Sequence, residues 1–395
     1  MQKLKFSQSV YITDLNYVNG NFEYDINVDA GERKEFKSKN IVKSIEFADF
    51  SIKLKFTESY INKLKKFLVH MYENLRKYNI NFSSFIKLYN EEISINDIKT
   101  DYRSYGFCRI VIQDGLNTYV DDIPIVTLDQ PNLSSSIIET INYNFNIIKK
   151  CDGTKTQLIM DSTPVIFSSK SAGYFIHEIL GHPLEFDFYQ YYKNNFENLK
   201  ISPKLTVIDS VVGVENIVGL NKYDDMGIPI KPLTVINNGR ICNVFAINES
   251  DSFNNNLYGF GRRENYKADV MVRMRSTFIG AGNNDLNEEK IISKYKSAIF
   301  FDKAYIGGVN PQTGDYNLKG QGFIVKNGEK CNFINNLELR GNLKKDLNSF
   351  DYIGNDIKMF GNYCSKLGQT IRVAVGGPTV SIYSMDITGE TYGRH

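Results

Sequence analysis

Two of the four histidines in this 395-residue chain lie five positions apart, and that spacing restricts the backbone that can carry them. The segment reads His177-Glu178-Ile-Leu-Gly181-His182-Pro183 and belongs to a short apolar helical pattern. On a regular helix of 3.6 residues per turn, the second side chain points roughly 140° away from the first. Both imidazoles can reach one metal ion only if the helix contains a one-residue π-bulge or ends before the second histidine.

The residues around the second histidine favour such a distortion. Gly181 permits unusual dihedral angles, and Pro183 biases His182 away from the α region. The segment therefore predicts a distorted helix on which His177 and His182 share a metal ion. The spacing alone leaves a second interpretation open, in which both histidines are core or capping residues of a buried helix without a metal.

The composition is that of an ordinary globular protein. The chain has 47 Lys and Arg against 45 Asp and Glu, and a net charge of +2 argues against a protein that coats nucleic acid or an acidic membrane. No run approaches about 18 consecutive apolar residues, so we expect no membrane-spanning helix, and the first residues predict no signal peptide. The five cysteines are scattered and never form a Cys-x-x-Cys pair. Reduced thiols and a cytoplasmic location are therefore expected.

The first part of the chain mixes helical and strand patterns. Residues 51–56 alternate between apolar and polar side chains, which predicts a strand, and an apolar stripe over 61–75 predicts an amphipathic helix. A hairpin is expected around Asp114-Gly115, and a second apolar stripe predicts a helix over 133–150.

The break at residues 151–154 is the expected domain boundary, because the sequence after it becomes rich in glycine and in strand patterns. Asn-Gly pairs at 238–239 and 327–328 lie between apolar or alternating runs and predict two-residue hairpin loops. We therefore expect an α+β fold. A mixed α/β domain should cover residues 1–153, and a mainly antiparallel β domain should cover residues 154–395.

Five segments after residue 155 resemble the TldD/PmbA family of metalloproteases, in the order in which the family has them. The family signature is a His-Glu-x-x-x-His helix followed by Leu-Glu-Gly-Asp. Here the helix is followed by Leu184-Glu185-Phe186-Asp187, so that Phe186 replaces the family glycine. The other similar blocks are residues 261–264 with Tyr266, residues 307–309 with Gly314, residues 353–356, and Cys364 with Gly368-Gln369. Over the first 150 residues or so the likeness is loose.

The resemblance implies a Zn²⁺ site formed by His177, His182 and Cys364, with Glu178 as the catalytic general base. Zinc lowers the pKa of water to roughly 7, so a neighbouring carboxylate can accept its proton at neutral pH. Two imidazoles and one thiolate leave one position of a tetrahedral zinc free. Without the resemblance, Cys364 would be interpreted as a buried, inert cysteine.

Four charged residues near these blocks have two interpretations each. Glu185 and Asp187 either orient the imidazoles by bonding to them without touching the metal, or form helix caps or ion pairs after the helix. Arg262 and Arg263 either bind carboxylate or carbonyl groups of a substrate or form structural ion pairs, and we leave them out of the predicted site.

The resemblance implies a zinc-dependent peptidase that hydrolyses peptides or unfolded protein segments bound in extended form by strand addition. It also implies a dimer, either with an identical chain or with another family member. Two other classes stay open. One is a non-catalytic subunit that scaffolds an active partner. The other is a structural zinc protein, in which Asp187 or Glu185 would be the fourth ligand.

Overall fold

The computed structural model describes residues 2–18, 20–37, 58–95, 98–113, 118–125, 133–150, 154–197, 199–210, 223–253, 259–282, 285–310 and 312–393. Strands dominate these residues and helices are fewer, so the predicted α+β class is confirmed. None of the helices in these ranges has the length and apolar character needed to cross a bilayer.

Within the described ranges, the N-terminal part is a five-stranded antiparallel sheet with two helices. Its strands are β1 (Gln2–Val18), β2 (Asn21–Lys37), β3 (Asn81–Ile95), β4 (Ile98–Gln113) and β5 (Thr118–Ile125). They lie in the order β2-β1-β3-β4-β5. Helices α1 (Glu58–Arg76) and α2 (Leu133–Lys150) confirm the two helices predicted from apolar periodicity. The predicted strand at 51–56 and the turn at Asp114-Gly115 lie outside the described residues.

The described residues of the C-terminal part form two six-stranded sheets and one two-stranded pair. The first has the order β15-β14-β13-β6-β19-β16, and a further pairing joins β15 to β19. Its strands are β6 (Thr154–Phe167), β13 (Ser297–Val309), β14 (Asp315–Lys326), β15 (Glu329–Asn342), β16 (Phe350–Ile353) and β19 (Val380–Gly393). The pairs are antiparallel except for β6 with β13, whose contact covers three residues of each strand.

The second sheet has the order β17-β18-β12-β7-β8-β9. Its strands are β7 (Val207–Asp209), β8 (Leu233–Asn237), β9 (Arg240–Ile241), β12 (Ser276–Ile279), β17 (Lys358–Lys366) and β18 (Gln369–Gly377). Strands β10 (Gly261–Arg262) and β11 (Met271–Val272) form a separate pair. The remaining helices are α3 (Ser169–Ile176), α4 (Phe186–Glu197), α5 (Glu288–Ile292) and α6 (Leu343–Asp346). Both predicted Asn-Gly loops are present with positive φ at Asn238 and Asn327.

The N-terminal and C-terminal parts share one apolar core. Ile137 and Ile141 of α2 belong to the same buried cluster as Ile166 of β6 and Phe300 of β13. Strand β6 begins at Thr154, next to the expected boundary. The division into domains at residue 153 stays a prediction, and the shared core shows that the two parts are packed against each other.

A buried ion network also joins the two parts. Asp121 of β5 accepts hydrogen bonds from Lys170 of α3, at 3.3 Å, and from Lys303 of β13. Burial acts to raise the pKa of the Asp121 carboxyl, but the two lysines outweigh it and hold this pKa below its ordinary value of 3.8. The carboxylate therefore stabilises the position of α3 against the N-terminal sheet.

We predict that Asp121→Asn lowers the free energy of unfolding by about 3 kcal/mol, because two lysine charges lose their partner in a buried site. Since the native pKa of Asp121 is lowered, its contribution is complete above pH 3.8 and is lost as the pH falls below that value. Urea unfolding at neutral and acid pH measures both effects.

Asp14→Asn is the matched control, because Asp14 and Lys87 form a half-exposed pair at 3.5 Å. That change should alter the free energy of unfolding by less than about 1 kcal/mol. If Asp121→Asn and Asp14→Asn lower the free energy of unfolding equally, the buried network stabilises the protein no more than a half-exposed ion pair does.

Candidate metal centre

The helix that carries the two histidines is distorted between them. Helix α3 continues into a π-helical turn over His177–Gly181 and then into a 3₁₀ turn over His182–Leu184. The backbone N–H of His182 donates to the carbonyl of His177, five residues earlier. A π turn accommodates one residue more than an α turn, so side chains at i and i+5 come to the same side. The distortion predicted from the spacing is therefore present.

Neither Gly181 nor Pro183 produces the distortion in the way that the sequence predicted. His182 keeps α-helical dihedral angles (φ −59°, ψ −46°), although Pro183 follows it. Pro183 is accommodated because it lies in the first turn of the 3₁₀ segment, where an N–H is not needed. Gly181 also has a helical conformation. A Cβ at this position would lie 2.0 Å from the sulfur of Met274, so that side chain would have to shift.

His177, His182 and Cys364 lie together, although 182 residues separate the second histidine from the cysteine. Their ligand atoms all lie within 4.8 Å of one another. The Cys364 sulfur is 3.1 Å from Nε2 of His182, and the two imidazole centroids are 5.0 Å apart. Within the described ranges this is the one group of three or more such side chains arranged for a metal ion.

A buried carboxylate contacts the imidazole nitrogen of His182 that does not face Cys364. Oε2 of Glu185 lies 3.0 Å from Nδ1 of His182, which leaves Nε2 directed at Cys364. Oε1 of Glu185 accepts from the backbone N–H of Met274 at 3.2 Å. Complete burial acts to raise the pKa of Glu185. His182 and Lys366 outweigh this effect and hold the pKa well below its usual range. Of the two interpretations left open for Glu185, the structure supports orientation of the imidazole.

Asp187 has the other predicted role and forms an ion pair, with Lys366 as its partner. The ammonium of Lys366 donates to Asp187 and to Glu185, at 2.8 Å in each case. Lys366 is almost fully buried, so it neutralises Glu185 inside the protein. Nothing in the sequence pattern had indicated this lysine.

Cys364 lies on strand β17 and its thiol is poised to ionise. Burial acts to raise its pKa, but His177 and His182 outweigh that effect and hold the pKa of Cys364 well below its usual range. The guanidinium of Arg273 donates to the backbone carbonyl of Cys364 and fixes the strand at this point. Cys108, Cys242 and Cys331 lie outside the cluster, and Cys151 is not among the described residues.

Glu178 faces a cavity of about 450 Å³ that also contains His182 and Cys364. Burial raises the pKa of the Glu178 carboxyl, and the two histidines oppose this effect without cancelling it. Tyr174, one helical turn earlier, lines the same cavity. Its hydroxyl accepts a hydrogen bond from the backbone of Gly307, and burial raises its pKa, so it stays protonated and can act as a donor.

Arg262 and Arg263 do not line the cavity of Glu178. The guanidinium of Arg262 donates to the carbonyl of Met274 at 2.9 Å. The guanidinium of Arg263 donates to the carbonyl of Ala268 and lies over the ring of Phe6 at 4.4 Å. The contacts described here for both arginines lie within the protein and are made to backbone carbonyls and an aromatic ring.

The sequence profile of the PmbA/TldA metallopeptidase C-terminal domain matches residues 160–389, more than half of the chain. The chain belongs to the PmbA/TldD family. The matched region contains the π turn, both histidines and Cys364. The resemblance inferred from five short blocks is thus confirmed at the level of the family.

Metalloproteases from other organisms are similar to somewhat more than half of this chain. A metalloprotease from Methanocaldococcus jannaschii is 30% identical over 222 residues, which are 55% of this chain and 48% of that protein. A zinc metalloprotease TldD homolog from Saccharolobus solfataricus is 28% identical over 57% of this chain and 51% of its own length. The chain therefore spans about half the length of the curated relatives it matches.

The fold is shared over nearly the whole chain with a solved structure. The crystal structure of TldE from Thermococcus kodakarensis superposes with a TM-score of 0.65 at 12% sequence identity. It covers 98% of this chain, and the match covers 97% of that protein. At this identity the likeness concerns the fold.

We predict that Gly173→Ala destabilises the protein by about 2 kcal/mol, because a Cβ at residue 173 would lie 2.1 Å from the backbone nitrogen of Gly376. Helix α3 would have to move away from β18, and His177 would move with it. Urea unfolding measures the loss.

The control is Gly280→Ala, where the nearest atoms to a new Cβ are 3.6 Å away. We expect a change below about 1 kcal/mol there. If both variants unfold at the same urea concentration, the close contact between α3 and β18 does not limit the position of the helix.

Proposed function

We propose that this chain is a zinc-dependent metallopeptidase that hydrolyses peptides or unfolded protein segments. The observation that carries the proposal is the convergence of His177, His182 and Cys364 beside the carboxyl of Glu178 in an open cavity. Family membership and the metalloprotease names of the relatives support the same activity.

The donor set fits zinc. Zinc binds imidazole nitrogen and thiolate sulfur at about 2.0–2.3 Å, so atoms bound to one ion lie roughly 3–4 Å from one another. The distance of 3.1 Å between Cys364 and His182 agrees with this spacing. Nδ1 of His177 is buried and has no hydrogen-bond partner among the described residues, which is a costly state for a polar atom.

The arrangement supports a catalytic rather than a purely structural metal. A closed structural site needs four protein ligands. The candidates for the fourth, Glu185 and Asp187, are both bound to Lys366, and neither belongs to the cluster. In the described part of the chain the cluster therefore has three donors, and two of them, His182 and Cys364, line a cavity that is open to a substrate.

When bound, zinc would polarise the substrate carbonyl and lower the pKa of water. Glu178 would accept a proton from the attacking water and deliver it to the leaving amine. Its raised pKa suits this exchange, because a carboxyl that titrates closer to neutrality both accepts and returns a proton readily. Glu185 would keep the imidazole of His182 in one orientation throughout.

Two strand edges beside the cavity suit a peptide in extended form. Strand β17 pairs with β18 and is the edge strand of its sheet. Strand β13 pairs with β6 only over residues 299–301, so its segment 307–309 pairs with β14 on one side. Both edges line the cavity and carry backbone groups that can bind a third strand. Pairing with a second chain and a cytoplasmic location stay predictions.

We predict that Glu178→Gln keeps its zinc but loses peptide hydrolysis by about 10²–10⁴-fold, because glutamine has nearly the same shape and cannot accept the proton. Zinc content and cleavage of casein or of an unstructured peptide measure the two properties. The exposed Glu249→Gln variant is the control and should match the unchanged protein. Near-normal turnover by zinc-loaded Glu178→Gln would remove Glu178 from the mechanism.

We predict that Cys364→Ala loses most of its zinc and its activity, because one of three ligands is removed. The controls Cys108→Ala, Cys151→Ala, Cys242→Ala and Cys331→Ala should keep both. Metal analysis after dialysis at neutral pH measures the zinc. Should Cys364→Ala retain one zinc per chain and hydrolyse peptides normally, a carboxylate such as Glu185 would be the third ligand.

A further inference from the structure

The turn that follows Cys364 contains an aliphatic residue in an unfavourable backbone conformation. Leu367 and Gly368 connect β17 to β18 with φ values of +47° and +81°. This left-handed region brings Cβ too close to the neighbouring carbonyl oxygen in residues other than glycine. Asparagine tolerates it best, which is why Asn-Gly is the preferred pair in two-residue hairpin turns.

The rest of the chain follows that preference. The turns at Asn238-Gly239 and Asn327-Gly328 have nearly the same backbone, with φ values of +46° and +51° at the asparagine. In the described segments the other five non-glycine residues with positive φ are asparagine or serine. Leu367 is therefore the exception, and turn formation does not explain it.

Packing within the chain does not explain it either. Leu367 is 77% exposed, the largest value among the described exposed large hydrophobic residues. A leucine in this position is unfavourable for two reasons: its backbone conformation is strained, and its apolar side chain is exposed to water. Such strain is retained mainly where the residue serves a binding site.

The site that Leu367 borders is the candidate active site. Leu367 lines the same cavity as Glu178, His182 and Cys364, and the apolar side chains of Val309 and Phe188 line it as well. Leu367 follows Cys364 by three residues, which is about 10 Å along a strand at 3.3 Å per residue. A peptide in extended form beside β17 covers that distance with three residues.

We propose that Leu367 is a specificity-determining residue that contacts an apolar side chain of the bound peptide, about three residues from the scissile bond. This inference rests on the proposed peptidase function. The occupant is an aliphatic or aromatic side chain, because three apolar residues of the cavity lining, Leu367, Val309 and Phe188, offer no partner to a charged side chain.

The test compares Leu367→Asn and Leu367→Met in zinc-loaded protein. The probes are unstructured decapeptides in which one leucine is moved through the sequence, with an all-polar decapeptide as reference. For the peptide with leucine at the contacting position, Leu367→Asn should raise KM by about tenfold with little change in kcat. Leu367→Met should restore the original KM, and the polar peptide should not distinguish the three proteins.

The remote turn supplies the matched control. Asn327→Leu places leucine in the same backbone conformation far from the cavity, so it should lower the melting temperature and leave KM unchanged. Leu367→Asn should keep or raise the melting temperature, because it restores the preferred turn residue. A KM that is equal for Leu367→Asn and the unchanged protein with every peptide would overturn the proposal.

Binding separates this inference from the proposed function. In the Glu178→Gln background, fluorescence anisotropy with the same labelled peptides measures Kd without hydrolysis. If the unchanged, zinc-loaded protein cleaves none of these peptides while the Kd depends on leucine and on Leu367, the peptidase function is overturned and the apolar contact of Leu367 stands. Absence of any peptide binding, or a change of oligomeric state on Leu367→Asn with unchanged Kd, would overturn the inference.

Discussion

One buried carboxylate connects the segments that make up the candidate site. Glu185 contacts His182 from the distorted helix, Lys366 from β17 and the backbone of Met274. These contacts come from parts of the sequence 89 to 181 residues away, in addition to its own helix turn. A charge that is fully buried is tolerated only when it is paired and hydrogen-bonded, so each of the three segments is held by the need to satisfy this group.

The N-terminal part also contacts the hairpin that carries Cys364. The ring of Phe107 in β4 packs edge-on against Tyr363, next to Cys364, with centroids 5.3 Å apart. Glu91 of β3 pairs with Arg372 of β18 at 3.0 Å, and both side chains are buried. Arg372 lies opposite Tyr363 in the hairpin. The N-terminal sheet therefore supports both strands of the hairpin that presents the cysteine.

The sequence predicted what depends on local periodicity and missed what depends on distant packing. Apolar spacing was sufficient to predict α1 and α2. The i and i+5 spacing of the histidines was sufficient to predict a distorted helix. Cys364 could be named only through the family resemblance, since no local pattern relates it to His182. Lys366 and Tyr174 carried no signal, because a buried lysine and a cavity-lining tyrosine are recognisable only once their neighbours are known. For Gly181 the predicted role was wrong, because its backbone is helical and the close neighbour of this position is the side chain of Met274.

The separation of 182 residues between His182 and Cys364 has a consequence for the growing chain. At 5–20 residues per second, the ribosome needs about 10–40 s to add the segment between them. During that time both histidines are already made, while the thiolate and the hairpin that presents it do not yet exist. A two-histidine fragment holds a metal ion far less firmly than the completed set. Nascent copies of this chain therefore lack part of the candidate centre until β17, which carries Cys364, has been synthesised.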